Sequence, residues 1–508
     1  MRTRLPLTLT MLLAACGGGG GASSSGGGTS APTPTPVVAR GALVGTPANV
    51  PVSVNGVPLA KLDPTVFTAM LEAGQPGTTV ITGVPRCTVT LNTVKYNTVG
   101  ANGEATDASA AIMVPSGADA KCTGARPVLL YAHATTVEKT FDMTNLNAYN
   151  EARLVAAMFA AQGYIVVAPN YTGYAGSSLA YHPYLVADAQ ANDMADALRA
   201  ARLSFAGIGA NASARLFITG YSQGGHAALA TQRAMQTRFG SEFTVAAVSG
   251  MSGPYALIET GDAIFGGKPT SGVTTFLPLL INAGQRANAT LYTSTGDIYE
   301  TPFAAGIDNL LPSARSLSEL VGSGKLPATV LFAKDSLPQA SGSAVYFGDN
   351  NLVKSSYRKA YLDDAAAHPC GASAADPLNC APANFLRKFM LKNDLRSYVP
   401  GVPLMLCGGD QDPTVPYQNT VSALAYFRAG GLGPARLTEV NLDATVGLND
   451  SYRNAKLGFQ AAKAALAAAA VKAGSLADQA VQANYHAGLV APFCIMATRD
   501  YFDSLTTP

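Results

Sequence analysis

Arg215-Leu-Phe-Ile-Thr-Gly-Tyr-Ser-Gln-Gly-Gly-His226 is the stretch that decides the fold. The apolar run Arg215 to Thr219 reads as a strand, and His226 to Met235 reads as a helix. Between them, Gly220-Tyr221-Ser222-Gln223-Gly224 has the pattern G-x-S-x-G. That spacing suits a sharp strand-to-helix turn. Small residues two before and two after the serine let strand and helix approach, and Ser222 takes a strained backbone conformation that presents its hydroxyl. The free N–H groups at the helix start then point at any negative charge that develops beside Ser222. Ser222 is the candidate nucleophile.

Working outward, the same rhythm recurs. Thr88 to Val99 and Thr106 to Val114 flank Gly100-Ala101-Asn102-Gly103 and predict a hairpin. Pro127 to Ala132 is a short buried strand ending at His133. Asn145 to Gln162 has helical spacing and stops at Gly163. Tyr164 to Ala168 is a strand, Val186 to Leu203 a helix, and Thr244 to Ser249 another strand. Alternating strands and helices imply a mostly parallel central sheet with helices on its faces. The rhythm breaks over residues 253–400, which are mixed and rich in Gly and Pro. It resumes at Val402 to Cys407 and Arg436 to Asn441. The expected layout is a core of residues 37–252 and 401–508, with a mixed or helical cap, residues 253–400, inserted between strands. A second, Ala-rich helical insertion spans about 442–482 and breaks at Gly474-Ser475. Lys463 and Lys472 interrupt it, which favours a packed helix over a membrane segment.

A serine nucleophile needs a base, and the base needs an orienting acid. On a sheet of this kind they follow in the order Ser, Asp, His. Two histidines lie downstream of Ser222. His368 falls inside the cap, before the last strands. His486, in Asn484-Tyr485-His486-Ala487-Gly488, comes after them. For the acid, Gly409-Asp410-Gln411-Asp412-Pro413-Thr414-Val415-Pro416 follows directly on a buried strand. The D-x-x-V-P spacing selects Asp412, while Asp410 reads as a loop residue whose side chain caps backbone N–H groups. His226, in the helix after the nucleophile, reads as a packing or capping residue.

With these residues in place, the chain resembles the secreted lipase and esterase branch of the α/β-hydrolase superfamily over roughly Cys87 to Phe502. The resemblance rests on Tyr131-Ala-His133, Ala168-Pro-Asn-Tyr-Thr-Gly173, Gly220 to Gly225, Asp412 to Pro416 and His486. It implies a Ser222-His486-Asp412 triad that cleaves carboxylic esters through an acyl-enzyme, without a cofactor. It also implies an oxyanion hole made by the N–H groups of Gln223 and Thr135. There the sequence departs from the family, since Ala134 replaces the Gly of the usual His-Gly-X turn. His133 is expected to hold that loop rather than to do chemistry. A serine peptidase uses the same triad, and a non-catalytic surface binding lipoprotein is the reading from outside enzymology. The substrate class stays open among external lipids, oligomeric polyesters and aromatic esters, as does the oligomeric state.

The remaining features bear on location and partners. Hydrophobic residues make up 48 % of the 508-residue chain, charged residues 13 %, and the net charge is +2. That is a globular composition with no field for nucleic acid. Arg2 and Arg4 precede an apolar stretch too short to span a bilayer, followed by Leu13-Ala14-Ala15-Cys16. This resembles a bacterial lipobox, so residues 1–16 read as a lipoprotein signal peptide ending at the acylated Cys16. Gly17, where Asp would favour the inner membrane, implies an outer-membrane lipoprotein, periplasmic or at the cell surface. Residues 17–36 are Gly, Ser, Thr, Pro and Ala, a tether with a reach of roughly 25 Å. Six other cysteines in an exported chain suggest disulfides. No CxxC or HExxH occurs, so no metal site is expected. Cys87–Cys122 and Cys370–Cys380 are the pairs nearest in sequence. Cys407–Cys494 follows if Asp412 and His486 meet, because the segments carrying those cysteines must then run together.

Overall fold

The computed structural model describes residues 39–371 and 373–506. The expected signal peptide ending at Cys16 and the expected tether, residues 17–36, lie outside the described residues.

Nine strands form one sheet. In chain order they are β1 (Ala48–Asn49), β2 (Thr88–Val99), β3 (Ala105–Ser116), β4 (Arg126–Ala132), β5 (Ile165–Pro169), β6 (Ala212–Tyr221), β7 (Val245–Met251), β8 (Leu404–Gly408) and β9 (Leu437–Asn441). Their spatial order is β1-β2-β3-β5-β4-β6-β7-β8-β9. The first three and the β3–β5 contact are antiparallel, and every pairing from β5 to β9 is parallel. The β2–β3 hairpin is in register from Thr88 opposite Ser116 to Val99 opposite Ala105. The central strands are buried on both faces, as their near-continuous apolar runs require.

Helices α1 (Asn150–Met158), α2 (Ala187–Ser204) and α3 (Gln223–Thr237) connect the central strands. α1 starts later than its apolar spacing predicts. Asp142 Oδ1 accepts from the Thr144 N–H at 2.8 Å and Asn145 Oδ1 from the Ala148 N–H at 3.0 Å, so side chains compete with helix there. β6 runs two residues past its predicted end, because Gly220 and Tyr221 still pair with Gly250 and Met251.

Residues 253–400 leave the sheet after β7 and return at β8. They contain α4 (Leu257–Phe265), α5 (Val273–Gly284), α6 (Ser355–Ala367) and α7 (Phe385–Asn393), joined by long loops. Their apolar residues form a second core, which includes Tyr184, Leu185 and Val186 from the loop before α2. Hydrogen bonds tie this insertion to the sheet domain. The Ser271 N–H donates to Pro413 O at 2.7 Å and the Ser313 N–H to Val137 O at 2.7 Å. Asn393 takes the His226 Nε2–H on its carbonyl at 2.9 Å and the Ala187 N–H on its side chain at 2.9 Å.

The second insertion is α9 (Arg453–Lys472) and α10 (Ala477–Asn484), after α8 (Gln418–Ala429). Gly474, at φ +76°, makes the break between them. α10 leads through one π-helical turn, Tyr485–Val490, into α11 (Ala491–Thr506). No helix among the described residues is long and apolar enough to cross a membrane. The three expected disulfides are formed, with Cα–Cα distances of 5.4 Å for Cys87–Cys122, 4.5 Å for Cys370–Cys380 and 5.6 Å for Cys407–Cys494.

Candidate active site

Ser222 occupies the turn between β6 and α3 at φ 57°, ψ −119°, a left-handed conformation that a serine adopts only under constraint. The two glycines are what make the turn possible. A Cβ on Gly224 would lie 1.9 Å from Ala132 O, and one on Gly220 would lie 2.3 Å from Gly224 O. Both clashes are with backbone, which cannot step aside. The Ser222 N–H is used by Met251 O at 2.8 Å. The N–H of Gln223, at the helix start, meets no acceptor among the described residues, nor does that of Thr135 in the loop after β4.

His486 sits on the π-helical turn. Its Nδ1–H donates to Asp412 Oδ2 at 2.6 Å, and its Nε2 has no hydrogen-bond partner among the described residues. The tautomer this fixes leaves Nε2 with a free lone pair. His486 and Ser222 line one cavity of about 1250 Å³, together with Thr135, Tyr221 and Glu151. Asp412 is buried, and its spacing explains itself here. Oδ1 accepts from the Thr414 N–H at 2.9 Å and the Val415 N–H at 3.1 Å, leaving Oδ2 for the imidazole. Asp410 is exposed and takes the Asn441 side-chain amide at 2.8 Å, rather than the backbone N–H groups expected of it.

The second insertion aligns the acid and the base. Lys463 on α9 reaches Asp443 at 2.8 Å and Gln411 at 2.9 Å. The Tyr485 hydroxyl donates to Asp443 and accepts from the Gln411 N–H at 3.2 Å. One polar cluster therefore grips the loop before Asp412 and the residue before His486.

Burial decides among the five histidines. His133 and His226 are held down to about 4, and His182 to about 3, by desolvation that backbone hydrogen bonds only partly offset. His133 donates from Nδ1 to Ala134 O at 2.7 Å and stacks on Tyr171. His368 is paired with Asp364 at 2.9 Å inside the insertion. Only His486 lines the cavity that holds Ser222.

Two residues escaped the sequence reading. His182 donates from Nδ1 to Thr172 O at 2.9 Å and accepts the Gln223 side-chain amide at 2.5 Å, which fixes the residue after the nucleophile. Glu151, in the first turn of α1, takes the Ala134 N–H at 3.0 and 3.2 Å and the Tyr131 hydroxyl at 2.7 Å. No motif spacing marks either one. A second cavity, of about 620 Å³ and mostly apolar, also borders Ser222. Tyr184, Leu257, Val273, Leu277 and Leu280 line it.

A sheet in this order, with a strained serine between a central strand and a glycine-bracketed helix, defines an α/β-hydrolase, and the chain is a member of that superfamily. A model of the prolyl oligopeptidase family matches residues 150–265, which span α1 to α4. No curated protein matches the chain significantly. Among solved structures, the chain is similar to the rice cell wall degrading esterase LipA from Xanthomonas oryzae. A ligand-bound form of LipA is 25 % identical with a TM-score of 0.68, over 92 % of this chain and 100 % of that one. A protein of Legionella pneumophila, 18 % identical, shares the fold with a TM-score of 0.64, over 91 % of this chain and 98 % of its own.

Proposed function

We propose that this chain is a serine hydrolase of carboxylic esters, with Ser222 as nucleophile, His486 as base and Asp412 as orienting acid. The observation that carries the reading is the Asp412–His486 pair, held with Nε2 unpartnered in the cavity that Ser222 lines. Ser222 Oγ attacks the ester carbonyl while His486 Nε2 takes its proton, and Asp412 stabilises the imidazolium that forms. The N–H groups of Gln223 and Thr135 hold the oxyanion. The imidazolium returns its proton to the leaving alcohol, giving an acyl-Ser222 ester. Water then attacks that ester with the same base assistance, and the acid is released. Of the two cavities, the leaving alcohol departs on the side lined by His486, so the apolar one takes the acyl group.

The likeness to a cell wall degrading esterase supports an ester outside the cell as substrate. The lipobox at Cys16 and the tether after it support a lipid-anchored, outer-membrane location. The test of activity is hydrolysis of p-nitrophenyl butyrate, with Ser222→Ala expected to lose on the order of 10⁴-fold or more in turnover while staying folded. A Ser222→Ala variant retaining a tenth of the rate removes the assignment. The match to a peptidase family supports a second reading, amide cleavage on the same residues. Matched ester and anilide substrates decide between them, the ester being the faster here. Cys16→Ala should move the protein from the membrane to the soluble fraction, and a soluble unmodified chain would remove the anchor.

A further inference from the structure

The turn after β4 is where this sequence departs from its family, and the structure shows what holds the departure in place. Ala134 is gripped on both sides. Its carbonyl accepts from His133 Nδ1 at 2.7 Å, and its N–H is shared by both Glu151 oxygens at 3.0 and 3.2 Å. The Tyr131 hydroxyl donates to the same carboxylate at 2.7 Å, so Glu151 bridges the end of β4 to the turn beyond it. The next N–H along the chain is that of Thr135, which meets no acceptor among the described residues. Glu151, Ala134, Thr135, Ser222 and His486 all line one cavity.

We propose that Glu151 is a positioning residue for the oxyanion hole, acting through Ala134 to aim the Thr135 N–H at the reacting carbonyl. Consecutive N–H groups in a turn compete for one anion. A fixed acceptor for the first leaves the second to the substrate, and sets the peptide plane that carries it. Burial pushes the Glu151 carboxyl up to about 7, so near neutral pH the group holds the turn without a full negative charge beside the oxyanion.

The inference rests on the ester hydrolase reading, and the variants keep the two separable. Glu151→Gln retains a carbonyl oxygen at the same reach. Glu151→Asp keeps the carboxyl but falls short of Ala134, and Glu151→Ala removes the acceptor. With p-nitrophenyl butyrate, Glu151→Ala and Glu151→Asp should lose about 10- to 100-fold in kcat with KM within about threefold of the wild type. That loss is below the full cost of deleting an oxyanion donor, about 10²- to 10³-fold. Glu151→Gln should lose no more than about threefold. A Glu151→Ala enzyme with more than half the wild-type kcat overturns the proposal, as does Glu151→Gln falling as far as Glu151→Ala. If Glu151→Ala does not fold, the ranking of Glu151→Gln above Glu151→Asp decides, and equal rates refute it. An inert wild-type chain removes the ester hydrolase reading and this one with it. An active wild type with the wrong ranking removes this one alone.

Discussion

Replacing Cys407 and Cys494 together by Ala tests whether the bridge between them clamps the acid loop to the base. Both side chains are fully buried, so Ala is chosen over Ser to leave no unpaired hydroxyl behind. The bridge spans 87 residues of chain. A loop of that size removes about 15 cal/mol/K from the unfolded ensemble, or about 4.6 kcal/mol at room temperature. Unfolding a domain of about 470 residues carries an entropy of about 1 kcal/mol/K, so the expected fall in Tm is about 4 to 5 °C. The effect on turnover is of another size. Asp412 follows Cys407 by five residues and His486 precedes Cys494 by eight. The Lys463–Asp443–Tyr485 cluster still grips both segments in the variant. Turnover should therefore fall several-fold, far short of the roughly 10⁴-fold cost of losing a triad member. Differential scanning calorimetry and initial rates on the oxidised wild type and the double variant measure both effects. A Tm unchanged to within about 1 °C, or a non-reducing peptide map with Cys407 or Cys494 as a free thiol, refutes the reasoning.

Asp412→Asn should cost about 10⁴-fold in kcat, because an amide at that position reverses the imidazole tautomer, while Asp410→Asn should stay within about threefold. Equal losses would mean that the carboxylate was wrongly chosen. Stability should also report Glu151, which faces Tyr131, Tyr171, Tyr221 and His486. A carboxyl raised in the folded state favours folding below its ordinary range and loses that contribution as pH climbs toward about 7. The Tm of Glu151→Gln minus that of the wild type should then grow between pH 5 and pH 8.5. A constant difference refutes the shift.

Much of this was legible because it repeats a period or a spacing. The strands around Ser222 carry unbroken apolar runs, since both faces of the sheet are covered, and the elbow announces itself through two glycines whose Cβ atoms have no room. Asp412 was separable from Asp410 by the D-x-x-V-P spacing alone, and the backbone N–H groups expected on Asp410 go to Asp412 instead, which parks one oxygen on Thr414 and Val415 and keeps the other for the histidine. What stayed hidden has no period. Glu151 lies in an otherwise ordinary helix and meets Ala134 only because α1 packs beside the end of β4. His182 reaches Gln223 across the fold from an irregular loop. The short strand Ala48–Asn49 is two residues long, too short for any alternation to show. Where α1 begins was misread because polar side chains outbid the helix for backbone N–H groups, a contest that apolar spacing does not register.

The insertion over residues 253–400 is fastened to the rest of the molecule at Ser271, Ser313 and Asn393, three widely spaced points of its length. The same insertion supplies Leu257, Val273, Leu277 and Leu280 to the apolar wall beside Ser222, so substitutions there re-cut the room offered to a guest while the residues that do the chemistry stay as they are.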